Sequence, residues 1–337
     1  MLRGGSATED WKAMVLRSMP TPAWLSPHAP ETDVVLSTRA RALRNLRGYR
    51  FPHAASKAEL LQVLSHVLGA AGARYEVLHQ DTWAERAYLL GCRLISPDFQ
   101  WSEPGRALLL SKDRLFAAMV NEEDHLRMQC LLPGWSFDLA ARLLDESVRF
   151  FGNRLEFAWS EKFGYLAASP FNAGEGIRYS AMCHLIGLAH AKRLAPCMRA
   201  LAAQGIVIRG LFGETSRAVG AFVQVSITRN SPSEFVGAID YLIREERTAR
   251  SSFPEATLAG SIARARNFAV GSRSLSLSEA LRVLAWVRLG ASLGLTGMPG
   301  SPRTVDGWLT QIELRSPMSE QRASADRAAW LRSVLDG

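Results

Sequence analysis

Lysine is scarce in this chain. Of 40 basic residues only Lys12, Lys57, Lys112, Lys162 and Lys192 are lysine, so the net charge of +8 is carried by arginine. A genome rich in G and C accounts for many surface arginines without any function. No Lys/Arg block of the tail type occurs, and basic residues are not interleaved with aromatics, so a nucleic-acid arm is not favoured. Cysteine is also sparse: Cys92, Cys130, Cys183 and Cys197 form no C-x-x-C pair and no His/Cys cluster of zinc spacing. Buried, reduced thiols are expected. No run reaches the ~18 apolar residues that a membrane helix needs. The opening stretch "MLRGGSATEDWKAMVLRSMP" carries early acids and no continuous apolar core, unlike a secretory signal. These absences predict a cytoplasmic protein with no membrane association. Also missing are a G-x-x-x-x-G-K-[ST] loop, an H-E-x-x-H helix and a G-x-S-x-G elbow.

What is present fits a globular chain long enough for two domains. Residues 1–29 read as an irregular, Pro-rich segment. Residues 30–255 read as a mixed α+β domain, and 256–337 as a small all-α domain. "SKAELLQVLSHVLGAAG" predicts a helix, with a capping box at Ser56 and Glu59. "RALLLS", "LFAAMVN" and "LRMQCLL" are strand-length and joined by polar turns, the pattern of an antiparallel meander. "YLAAS", "IVIRGLF" and "AFVQVSI" predict further strands, and in the last Gln224 and Ser226 alternate with Val223, Val225 and Ile227. Capping boxes at Ser231/Glu234 and Ser276/Glu279 predict helix starts. Leu281, Leu284 and Trp286 give the C-terminal helices an apolar face. That face packs either on the first domain or on a second subunit, as a homodimer.

Two features carry chemistry. "NEEDHLR" (121–127) sets three consecutive acids at the end of a probable strand, where they repel one another unless a cation meets them. His125 within it reads as support for the turn. Arginine recurs at strand ends and turns: Arg39 and Arg41, two apart and so on one face of an extended segment, then Arg127, Arg178 and Arg209. Several guanidinium forks together can hold a triphosphate and neutralise a transferring phosphoryl group.

Read in order, "VVLSTRARALRNLRGYRFP", "VNEEDHLRMQ", "GYLAASPFNAGEGIR" and "RGLFGE" resemble the signature blocks of the ATP:guanidino phosphotransferases. The first block begins at residue 34, without the helical domain that precedes it in creatine and arginine kinases. The pattern is therefore closer to the bacterial protein-arginine kinases of the McsB type. The resemblance implies an antiparallel-sheet catalytic domain flanked by helices. It implies that Glu123 and Glu214 grip a substrate guanidinium, and that Arg39, Arg41, Arg127, Arg178 and Arg209 clamp ATP phosphates bridged by Mg²⁺, with no dedicated protein metal site. It places the nucleotide along Ser37, Thr38 and Ala40, along Tyr179, Ser180, Ala181 and Met182, and along Gly210, Leu211, Phe212 and Gly213, with Arg93 at the base. The activity implied is transfer of the γ-phosphoryl group to arginine side chains of proteins, with a zinc-binding adaptor of the McsB systems as a candidate activator.

The chain departs from the family pattern at three points of one block. Ser169 stands where the family has a cysteine thiolate, and Phe171 and Glu175 replace threonines. A serine hydroxyl brings no charge. Glu175 is expected to weaken nucleotide binding unless an arginine answers it. The stretch 323–328 keeps Arg327 but lacks the first arginine and aspartate of the family's phosphoarginine motif. These departures motivate an alternative: a member that binds arginine or phosphoarginine proteins and regulates without turnover.

Overall fold

The computed structural model of the protein describes residues 21–79, 83–99, 101–210, 218–227, 232–312 and 319–336. Ten strands are formed among these residues: β1 (Val35–Arg44), β2 (Glu76–Leu78), β3 (Ala107–Leu110), β4 (Phe116–Val120), β5 (Leu126–Pro133), β6 (Trp159–Ser160), β7 (Gly164–Tyr165), β8 (Ile177–His184), β9 (Val207–Gly210) and β10 (Phe222–Ile227). Eight of them make one sheet in the order β2-β3-β4-β5-β1-β8-β10-β9. Every neighbouring pair is antiparallel. β3, β4 and β5 are the meander expected from the sequence. β1 is the long central strand on which the two halves of the sheet meet.

The pleat sends alternate β1 side chains to opposite faces. On one face Ala40 and Ala42 share a core with Val120, Leu126, Met128 and the helix Phe137–Gly152. Thr38 starts that helix from below: its hydroxyl donates to Gly134 O at 2.6 Å and accepts from the Ser136 amide at 3.0 Å. Further along the same face, Ala181, Val223 and Val225 pack with helix Pro232–Ser251. The opposite face is covered at one edge by helix Trp83–Gly91 over Leu108, Leu110 and Met119. Its middle is left open.

The helix Lys57–Ala71 has the predicted Ser56/Glu59 capping box, and Leu277–Ser292 has the Ser276/Glu279 box. Helix Pro232–Ser251 begins where expected, although Ser231 lies outside the described residues. The "YLAAS" stretch is a correction. Only Gly164–Tyr165 pairs as a strand, because Leu166 turns to donate to Ala158 O and the Ala168 amide is taken by Asp124.

Past residue 255 the described chain is helical: Glu255–Gly271, Leu277–Ser292, Pro302–Gln311 and Glu320–Leu335. These helices share one hydrophobic cluster with Leu36, Met182 and Phe222 of the sheet, and Leu281 and Leu284 are fully buried in it. The apolar face of these C-terminal helices is therefore packed on the sheet of the same chain. Arg288 and Arg303 seal the junction around Asp306, with ion pairs of 2.7 Å each. Their remaining donors reach the carbonyls of Thr32, Asp33, Leu36 and Ser26.

Candidate active site

Register turns five scattered arginines into one surface. In an antiparallel ladder, residues directly opposite one another project to the same face. Arg41 pairs with Arg178 on β8 and Gln129 on β5, and Leu43 pairs with Arg127. Arg39 pairs with Ser180, Ser180 with Ser226, and Gln224 with Arg209 on β9. All five arginines line one cleft of about 1570 Å³ on the open face, together with Glu123 and Ser169.

Neutral groups hold much of this cluster. Arg39 donates to Ser180 Oγ at 3.3 Å and Gln224 Oε1 at 2.8 Å, and Arg178 donates to Ser226 Oγ at 2.7 Å. Arg41 has a buried Nε with no partner among the described residues. Burial, then repulsion from Arg127, Arg93, Arg178 and Arg209, lowers the Arg39 guanidinium to about 9. Burial and the same kind of repulsion push Arg41 well below its ordinary value. Guanidinium remains charged at neutral pH, so the shifts register an unfavourable crowd of cations. A polyanion relieves that repulsion.

The acidic turn divides its charges among separate tasks. Asn121 closes it, its amide donating to His125 O at 3.0 Å. Glu122 is buried and takes Arg127 Nη1 on both oxygens, at 2.7 and 2.9 Å, as well as the Ser96 hydroxyl. Burial opposes its charge, yet Arg127 and Ser96 hold its carboxyl below the usual value. Asp124 accepts from Asn45 Nδ2 at 2.6 Å and from the Ala168 amide at 2.7 Å, tying the turn to the loop before Ser169. His125 Nδ1 accepts from the Leu46 amide at 3.0 Å and Nε2 faces Arg50 O at 3.0 Å, which fixes the Nε2–H tautomer. Burial lowers its pKa, so it is a neutral structural imidazole. Glu123 alone is exposed and lines the cleft. Burial, then Asp124 and Glu122, raise its carboxyl above the usual value. An arriving cation meets a carboxylate that gains from it.

Ser169 lines the cleft one residue before the short helical turn Pro170–Asn172. Phe171 stands beside it at the mouth, 77% exposed. Gly176 requires its residue type: at φ +62° a Cβ would lie 2.8 Å from Arg44 Nη1. Glu175 has an arginine near it. Its side chain is exposed and absent from the cleft lining, while its carbonyl accepts from Arg44 at 2.9 Å. Arg44, stacked 3.7 Å over Tyr165, is the arginine that feels the Glu175 charge.

At the other end Arg93 lies over Trp24 at 5.1 Å and donates to Ser37 Oγ at 3.0 Å. It sits at φ +62°, held there by Gln129 Nε2 donating to its carbonyl at 2.8 Å. Burial lowers its guanidinium to about 10, while Asp306 pulls the other way.

Along the stretches whose backbone is expected to line the nucleotide, the pleat sends only some side chains to the cleft. Thr38, Ala40, Tyr179 and Ala181 face away from the cleft: Tyr179 packs edge-on against Phe137 at 5.0 Å, and Ala181 lies in the core beneath. Ser180 holds Arg39 without lining the cleft, and Gly210 is buried outside the lining. Met182 does line it. Leu211, Phe212, Gly213 and Glu214 lie outside the described residues. Sequence reasoning missed Gln129 and Gln224 as cleft residues. The alternation in "AFVQVSI" gave Gln224 its face, but only register gave it Arg39 as a partner. Arg327, kept from the phosphoarginine motif, is buried and pairs with Glu320 at 2.5 Å. Among the described residues no group of three or more His, Cys, Asp or Glu side chains could hold a metal, and no helix is long and apolar enough to cross a membrane.

A twisted antiparallel sheet with an open, arginine-lined face and a carboxylate at its end defines a guanidino-kinase fold. Lombricine kinase superposes with a TM-score of 0.58 at 21% identity, covering 73% of this chain and 79% of that one. The duplicated taurocyamine kinase of Schistosoma mansoni, solved with transition-state-analogue components, gives 0.59 at 22% identity, covering 68% of this chain and 36% of that one. A family profile for the C-terminal catalytic domain of ATP:guanido phosphotransferases matches residues 59–231. A protein-arginine kinase of Moorella thermoacetica is 36% identical, covering 93% of this chain and 97% of that protein. One of Halalkalibacterium halodurans is 34% identical, covering 93% and 94%. The chain belongs to the ATP:guanido phosphotransferase family, an enzyme family of kinases.

Proposed function

We propose that the protein is a protein-arginine kinase that transfers the γ-phosphoryl group of ATP to arginine side chains of proteins. The observation that carries this is the convergence of Arg39, Arg41, Arg127, Arg178 and Arg209 with Glu123 on one cleft. The arginines take the phosphate chain, and Glu123 takes the guanidinium of the acceptor. Glu214 is proposed as the second carboxylate on that guanidinium.

In the step itself a guanidino nitrogen attacks the γ-phosphorus. The N–P bond forms as the bond to the bridging oxygen breaks and ADP departs with that electron pair. The nitrogen's proton passes to a carboxylate, for which the raised Glu123 is suited. The arginine cluster stabilises charge on the transferring group and the departing diphosphate, and does so without reorganising, since strand register fixes its guanidinium groups in advance. Ser169 contributes a hydroxyl at the acceptor end. A Mg²⁺ ion brought in with the nucleotide would supply further positive charge to the same phosphate chain. Cytoplasmic location, an adaptor and a dimer belong to this reading only as expectations.

Incubating the purified protein with Mg·ATP and an arginine-rich protein tests it. Acid-labile phosphate on arginine is the predicted product. An unmodified acceptor, with a zinc-binding adaptor also tried, contradicts the proposal.

A further inference from the structure

The cleft face is ordered along β1. Leu43 lies opposite Arg127, next to the acidic turn; Arg41 lies opposite Arg178; Arg39 lies opposite Ser180; Ser37 lies opposite Met182 and accepts from Arg93. Six residues of strand extend about 20 Å. With the acceptor guanidinium at Glu123 and the phosphates over Arg41 and Arg39, a nucleotide's base falls at the Ser37 end.

The walls at that end come from outside the sheet. Leu277, Leu309 and Thr310, all C-terminal, line the same cleft, as does Trp24. Leu309 and Leu277 belong to the cluster that takes in Met182. Gly91, two residues before Arg93, lets the Thr310 backbone approach so closely that a Cβ on it would stand 2.1 Å from the Thr310 carbonyl oxygen. Arg303, on the same helix as Thr310, lies 5.8 Å from the Trp24 ring that also carries Arg93. The Pro302–Gln311 helix thus bears on Arg93 in two ways: through Trp24 and through the charge of Asp306.

We infer that the C-terminal helices form the base-binding end of the nucleotide site, with Leu277, Leu309 and Thr310 walling the nucleobase against Arg93. The inference rests on the ATP-site reading above. On this arrangement the helical domain is part of the substrate site, and any displacement of the Pro302–Gln311 helix changes nucleotide affinity.

The test separates base from phosphate. Calorimetry on the full chain compares ATP with inorganic tripolyphosphate for the wild type, Leu277→Ala, Gly91→Ala and Arg41→Ala. Leu277 is half-buried and outside the Ser276/Glu279 capping pair, so its truncation spares the helix start. Losing apolar contact to the base in Leu277→Ala, and pushing the Thr310 backbone away in Gly91→Ala, are each expected to weaken ATP by roughly 3- to 10-fold, with tripolyphosphate within about twofold. Should Gly91→Ala fail to fold, Leu277→Ala carries the comparison alone. Unchanged ATP affinity, or equal weakening of ATP and tripolyphosphate, overturns the inference. Arg41→Ala is expected to weaken both ligands; if it weakens neither, the ATP-site reading itself fails.

Discussion

Two groups of arginines in this protein are built on opposite terms. At the junction of sheet and C-terminal helices, Arg288 and Arg303 are buried, share Asp306, and spend their remaining donors on backbone carbonyls. On the cleft face Arg39 and Arg41 form no ion pair among the described residues, and each is destabilised as a cation by its arginine neighbours. The first group is complete and serves the fold. The second is positioned by register and, at Arg39, by the neutral partners Gln224 and Ser180, so an anion would meet charges no carboxylate of the described residues neutralises. Where charge is matched internally the residue builds structure; where it is left unmatched in a cleft the residue awaits a ligand.

The comparison can be broken by mutation, beginning where the effect should be greatest. Glu123→Gln removes the one exposed carboxylate of the turn. Phosphoryl transfer is expected to fall by at least about 10³-fold, with ATP affinity within about threefold, since Glu123 faces the acceptor. In the wild type the raised Glu123 carboxyl must be ionised to act, so kcat/KM declines as pH falls through a value above that of an ordinary glutamate. The residual activity of Glu123→Gln lacks that limb. A pH–rate series on both proteins checks the pair of statements.

Asp306→Ala attacks the matched cluster. It leaves Arg288 and Arg303 buried with no carboxylate, and the expected loss is about 3–5 kcal/mol in chemical denaturation. ATP binding is not contacted directly by Asp306, so near-saturating nucleotide should still raise the midpoint of whatever folds.

Arg41→Met attacks the unmatched cluster and should do the reverse. Removing one cation from a repelling group leaves the unliganded fold as stable as the wild type or slightly more so, while kcat/KM falls roughly 10²- to 10³-fold. Steady-state kinetics beside a denaturation curve reads both.

The smallest change is expected at Glu175. Because its carboxylate is exposed and outside the cleft lining, Glu175→Gln should alter KM for ATP by less than about twofold. A larger gain in affinity would mean that the negative charge reaches the phosphates after all.

Much of this was legible in the chain before any coordinates. The β3–β5 meander, the Ser56/Glu59 and Ser276/Glu279 helix starts, and the arginines and acids of the site are local signals, set by spacing and residue type. What stayed hidden depends on partners distant in sequence. A contiguous stretch such as 178–182 reads as one site, but the pleat gives the cleft only alternate residues and sends Tyr179 and Ala181 to the core. "YLAAS" has strand composition, yet Asp124 claims the Ala168 amide and ends the pairing. A linear motif does not say which way a loop residue turns, so the sequence left open which arginine answers Glu175, and the structure puts Arg44 there. Trp24, Leu277, Leu309 and Thr310 come to the cleft only through packing of the C-terminal helices, for which no sequence motif exists.

The claim beneath the rest is that Arg39 and Arg41 are the core of an anion-binding site. Its most direct test is the stability of wild type and Arg41→Met by chemical denaturation, each with and without ATP at about a hundred times the wild-type Kd. The wild type should gain about 2.7 kcal/mol from the nucleotide. The variant should start no less stable and gain far less. An Arg41→Met protein that is markedly destabilised without ligand, yet gains the full increment with it, would contradict the account.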